Sequence, residues 1–87
     1  MDLSHRALIV DDEQDILNLL ERVLAKMEIS CFSAASLSEA KQRLAKDAPR
    51  ISFCITDMRL PDGNGIELVK RISMEYPDIP VAMITAH

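Results

Sequence analysis

Short β-branched runs alternate with helical patterns along this chain. Ala7-Leu8-Ile9-Val10 is a continuous apolar run ending in acids, as a strand buried on both faces of a parallel sheet reads. From Gln14 to Glu28, Ile16, Leu17, Leu19, Leu20, Val23, Leu24 and Met27 recur at helical spacing. Glu13 and Asp15 stand near the start of that helix, where its dipole favours negative charge. Ile29 to Ala34 reads as a second strand. Ser36 with Glu39 three residues later is a capping box, opening a helix to about Asp47 with Leu37, Ala40 and Leu44 inward. Pro49 stops that helix, and Ile51–Asp57 is the third strand. Leu60-Pro61-Asp62-Gly63-Asn64-Gly65 is a turn-rich loop holding both glycines. A third helix follows from about Gly65 to Tyr76, with Ile66, Leu68, Val69 and Ile72 as its apolar contacts. Pro77 and Pro80 bracket the turn into a fourth strand, Val81 to Thr85.

Strands alternating with helices of this length predict right-handed βαβ crossovers, hence an α/β fold with a doubly wound parallel sheet. No linker, repeat or low-complexity segment interrupts the 87 residues, which suit one small domain or part of one. Aromatics are only 3%, so the core must come from Leu, Ile, Val, Ala and Met.

The formal charge is -4, with no Lys/Arg stripe interleaved with aromatics, which argues against direct nucleic acid contact. The apolar stretches are too short to span a membrane, and the first residues lack a signal-peptide core. Cys31 and Cys54 are isolated, without metal-ligand spacing, and read as small core residues of a cytoplasmic protein rather than a disulfide.

Candidate chemistry sits at the strand ends. Ligand sites in open parallel sheets lie beyond the carboxyl ends of the strands, where strand order reverses. The first strand ends in Asp11-Asp12 and the third in Asp57. If those strands are neighbours, three carboxylates converge, repel and invite a cation, with a hard oxygen-lined site suiting Mg²⁺. A carboxylate is also a nucleophile that forms aspartyl-phosphates, and the Thr85 hydroxyl ending the fourth strand can hydrogen-bond a phosphate oxygen. Each feature has a plainer reading. An acid at a strand end is usually solvated, Thr favours strands, and "LPDG" is good turn composition. Arg59 beside Asp57 can be a surface ion pair, and His5 and His87 are solvated side chains by default.

The joint placement of "LIVDDE" at 8–13, "CITDMRLPDGNGIEL" at 54–68 and "VAMITAH" at 81–87 resembles bacterial two-component response-regulator receiver domains. "TDMRLPDGNGIELV" and "MITAH" look most like receivers of NtrC-type transcriptional activators, those of type IV pilus regulation among them. The resemblance implies a flavodoxin-like sheet of strand order 2-1-3-4 and a phosphoacceptor signalling domain rather than an enzyme. It implies Asp57 as phosphoacceptor, Asp12 as direct Mg²⁺ ligand and Asp11 as its partner, often through water. It further implies that the Arg59 main-chain carbonyl coordinates the metal, that Thr85 is the switch hydroxyl, and that Ala86 keeps the site open. Pro61 and Gly63 would shape the loop. The implied partners are a sensor histidine kinase, whose phosphohistidine is the donor, and an output module of the full-length protein.

The family also has a fifth strand bearing a Lys that contacts the phosphate, with last helices flanking that strand. Residues 1–87 are therefore expected to form a partial receiver domain, incomplete in its sheet and prone to self-association through the edge of the fourth strand. The alternative is a non-phosphorylated pseudo-receiver acting as a protein-interaction module. A haloacid-dehalogenase-type phosphatase wants a second Asp where Arg59 stands, and neither GxGxxG nor a P-loop is present.

Overall fold

Each residue of the first strand, β1 (Arg6–Val10), points to the face opposite its neighbour, and both faces are covered. Ala7, Leu8, Ile9 and Val10 are all buried, which explains why the run is apolar without alternation. The structure is a computed structural model and describes residues 6–84.

After β1 come α1 (Gln14–Lys26), β2 (Ser30–Ala34), α2 (Leu37–Asp47), a 3₁₀ turn (Ala48–Arg50), β3 (Ile51–Asp57), α3 (Gly65–Glu75) and β4 (Val81–Ile84). The main sheet is parallel throughout, in the order β2-β1-β3-β4, as the expected 2-1-3-4 arrangement requires. Ala7 and Ile9 pack with Leu17 and Leu24 of α1 on one face. Leu8 and Val10 pack with Leu37, Ala40 and Leu44 of α2 and Leu68 and Ile72 of α3 on the other. The sheet is thus wound on both sides, the doubly wound α/β class the alternation implies.

The α1 stripe is wider in sequence than in burial. Leu17 and Leu24 are buried, whereas Leu19, Val23 and Met27 are 55%, 48% and 62% exposed. A single helix lying on the sheet covers only part of the apolar arc that its periodicity marks. The helix also ends earlier than the periodicity suggests. Glu28 takes a left-handed φ of 63°, its N–H bonds to Ala25 O, and the Ile29 N–H bonds to Leu24 O. That is a Schellman termination with Glu in the position glycine usually fills.

The capping box at α2 forms with a shift. Ser36 Oγ accepts the Glu39 N–H at 3.1 Å, but Glu39 Oε1 reaches the Ala35 N–H rather than that of Ser36. Asp62 adds a second cap from far along the chain, accepting the Leu37 N–H at 2.8 Å and the Ser38 N–H at 2.9 Å. Asp62 reaches there because the turn-rich loop is a tight hairpin, with Arg59–Leu60 paired antiparallel to Gly63–Asn64. Phe32 is only partly buried, under the Arg6 and Arg43 guanidiniums at 4.9 and 4.7 Å from its ring centroid. Cys31 and Cys54 are free thiols. Among the described residues, no helix is long and apolar enough to cross a membrane.

Candidate metal centre

The adjacency of β1 and β3 decides the site. Val10 lies opposite Thr56 in the parallel register, so Asp11 and Asp57 emerge together at the carboxyl end of the sheet. Asp11, Asp12 and Asp57 each offer a carboxylate oxygen, all within 4.8 Å of one another. Asp11 is buried, Asp57 half-buried and Asp12 exposed.

Local hydrogen bonds aim two of the three. Asp11 Oδ1 accepts the Glu13 N–H at 2.8 Å, and the Asp11 N–H donates to Ala34 O at 3.0 Å. Asp57 Oδ1 accepts the Met58 N–H at 2.8 Å. Burial pushes the Asp11 carboxyl above its ordinary pKa; the Glu13 N–H opposes this, and the charges of Asp57 and Asp12 add to it. Three like charges held this close fit a hard divalent cation, which would relieve the repulsion and take oxygen ligands from all three.

Arg59 stands two residues beyond Asp57, exposed, opposite Asn64 in the hairpin. Pro61 and Asp62 lie between the paired segments of that hairpin, and a Cβ on Gly63 would meet Leu37 Cδ2 at 2.8 Å. Thr85 and Ala86 lie outside the described residues.

Two neighbours of Asp57 carry more than their sequence context suggests. Gly65, noted only as a turn glycine, is buried; a Cβ there would stand 2.3 Å from the Asp57 carbonyl oxygen. Thr56 is fully buried, and its Oγ1 donates to that same carbonyl at 3.0 Å. The sequence signal for Gly65 was the second glycine at the helix start; Thr56 offers none beyond strand propensity. Asn64 caps α3, its Oδ1 accepting the Ile66 and Glu67 N–H groups at 2.9 and 3.2 Å.

Comparison with known proteins agrees with this geometry. Residues 7–87 match the family described as "Response regulator receiver domain". The chain is 50% identical over 82 residues to the response regulator protein PilR of Pseudomonas aeruginosa, covering 94% of this chain and 18% of PilR. It is 34% identical over 79 residues to the DNA-binding transcriptional regulator NtrC of Escherichia coli K12, covering 91% of this chain and 16% of NtrC. The beryllofluoride-activated NtrC4 receiver domain dimer superimposes with a TM-score of 0.86 at 30% identity, over 95% of this chain and 67% of that one. The chain therefore spans less than a fifth of the length of these curated relatives. With the sheet order, the acidic cluster and these matches in accord, the chain belongs to the response-regulator receiver domain family, whose members are phosphoacceptor modules working with histidine kinases and output domains rather than enzymes.

Proposed function

We propose that residues 1–87 are part of a receiver that takes a phosphoryl group onto Asp57 from the phosphohistidine of a sensor kinase. The observation that carries this reading is the convergence of Asp11, Asp12 and Asp57 at the carboxyl end of the sheet in a chain of this family. Asp57 is the nucleophile: a carboxylate oxygen bonds to phosphorus as the phosphorus–nitrogen bond breaks. The electron pair leaves on the imidazole nitrogen, which takes up a proton.

Asp11, Asp12, Asp57 and the Arg59 carbonyl are the proposed Mg²⁺ ligands. When bound, Mg²⁺ neutralises charge on the carboxylates and the transferring phosphoryl oxygens. The chain's own contribution is positioning. The Met58 N–H holds one Asp57 oxygen, and the Glu13 N–H holds Asp11 facing it. Thr85 is proposed as the switch hydroxyl that meets the phosphoryl group.

The output module in the full-length protein is a transcriptional one, of the NtrC type and within it the PilR type, and the protein acts in the cytoplasm. Likeness to PilR at 50% identity and to NtrC supports that assignment. Activation of the similar NtrC4 receiver by beryllofluoride supports a phosphoryl switch. In the complete receiver domain, Asp57→Asn is expected to abolish labelling by radiolabelled acetyl phosphate with Mg²⁺. Label persisting at the wild-type level would remove Asp57 from the acceptor role, and an unlabelled wild type would leave a protein-interaction module.

A further inference from the structure

We infer that Thr56 and Gly65 are positioning residues for Asp57, clamping its main-chain carbonyl and so setting the direction of its carboxylate. The inference rests on the reading of Asp57 as phosphoacceptor.

The peptide joining Asp57 to Met58 is held from every side. Its carbonyl oxygen accepts the Thr56 hydroxyl at 3.0 Å and lies against the Gly65 backbone, where a Cβ would come within 2.3 Å. Its N–H, that of Met58, donates to Ile84 O at 3.2 Å and to Asp57 Oδ1 at 2.8 Å. The next carbonyl, that of Met58, accepts the Gly65 N–H at 2.7 Å. The peptide that β3, β4 and the start of α3 hold is thus the one whose N–H orients the carboxylate. Turning that peptide would carry the Met58 N–H away from Oδ1 and release the side chain.

Thr56 and Gly65 make the arrangement possible in complementary ways. Thr56 is fully buried and its hydroxyl proton is committed to the Asp57 carbonyl, so strand propensity alone does not account for it. On propensity and burial alone, Val would serve equally well there. Gly65 lets the first turn of α3 approach the carbonyl, which any side chain at that position would displace. In-line phosphoryl transfer depends on placement of the attacking oxygen, and a misplacement of about 1 Å costs on the order of a hundredfold in rate.

The test compares wild type, Thr56→Val and Thr56→Ser forms of the complete receiver domain with acetyl phosphate as donor in the presence of Mg²⁺. In this reaction an Asp57 oxygen bonds to phosphorus, the phosphorus–acyl oxygen bond breaks, and acetate leaves with the electron pair. Thr56→Val is expected to lower the maximal labelling rate about tenfold while the half-saturating donor concentration stays unchanged, and Thr56→Ser to restore the rate. A second readout needs neither metal nor donor: hydrogen exchange of the Met58 amide is expected to quicken in Thr56→Val and not in Thr56→Ser. Should the Val variant fail to fold, Thr56→Cys carries the same comparison, since a thiol is readily buried and donates weakly. A labelled wild type with unchanged rate and unchanged Met58 exchange in the variant would overturn the clamp alone. An unlabelled wild type would overturn the acceptor reading and the clamp with it.

Discussion

Neutralising Asp11 should stabilise the metal-free chain while weakening its response to a divalent cation. Asp11→Asn keeps an oxygen to accept the Glu13 N–H, so the change is mainly one of charge. It removes two of the three pairwise repulsions among carboxylates that lie within 4.8 Å. At that separation each pair costs about 1 kcal/mol in water-like surroundings and about 3.5 kcal/mol at an effective dielectric constant of about 20. Asp12 is exposed and Asp57 half-buried, so screening keeps the sum near the lower limit, about 1–2 kcal/mol. For a domain of this size that corresponds to a rise in Tm of roughly 5–10 °C. The pH dependence has a definite sign. The folded pKa of Asp11 is raised above 3.8, so its charge destabilises the fold as pH rises through 3.8 to the folded value, and fully above it. The Tm advantage of Asp11→Asn should therefore be complete at neutral pH and disappear below that window. Thermal unfolding in EDTA and then in Mg²⁺, followed by circular dichroism across pH, measures both quantities. Mg²⁺ should raise the wild-type Tm and raise that of Asp11→Asn less. An Asp11→Asn chain melting at or below the wild type in EDTA at neutral pH would refute the charge-repulsion account of this site.

Two further outcomes follow from particular contacts. Asp62 holds the first N–H groups of α2, and those bonds to Ser38 and Leu37 keep its carboxyl below the usual pKa. Its contribution is present above 3.8 and lost as pH falls to the folded value. Asp62→Asn should thus lower Tm at neutral pH, with the difference closing in acid; a pH-independent difference would disprove the cap. Among the described residues β4 pairs only with β3, and its Met83 and Ile84 are 37% and 38% exposed. That edge, unpaired on its other side among the described residues, is expected to drive self-association of residues 1–87 by strand addition, seen as a rising sedimentation coefficient with concentration. A monomer at every concentration would contradict it.

What could be read from the chain was what depends on near neighbours. The limits of β3 follow from an apolar run closed by the 3₁₀ turn at Pro49 and by Asp57. The Ser36 cap follows from residues within one helical turn. Periodicity located α1 and α3, since the 3.6-residue repeat is a property of the local backbone.

From spacing alone the site was legible only as a condition, that β1 and β3 be neighbours, which the order 2-1-3-4 implied by the family resemblance meets. No local pattern states that Val10 lies beside Thr56; the order and register of the sheet do, and with them the meeting of Asp11, Asp12 and Asp57. The same limit explains the rest. Leu19 and Val23 repeat like core residues, yet one helix on the sheet leaves them outside. Asp62 reads as turn chemistry until the hairpin brings it to α2, 25 residues away in sequence. Gly65 reads as a turn glycine until α3 is seated against the Asp57 carbonyl. Sequence by itself determined which segments form the main strands and helices, because those follow from short-range spacing, and it marked Asp11, Asp12 and Asp57 as candidates for the chemistry. Short-range spacing left open which of them meet, and the tertiary structure decided it, because contact between distant residues depends on how the elements pack.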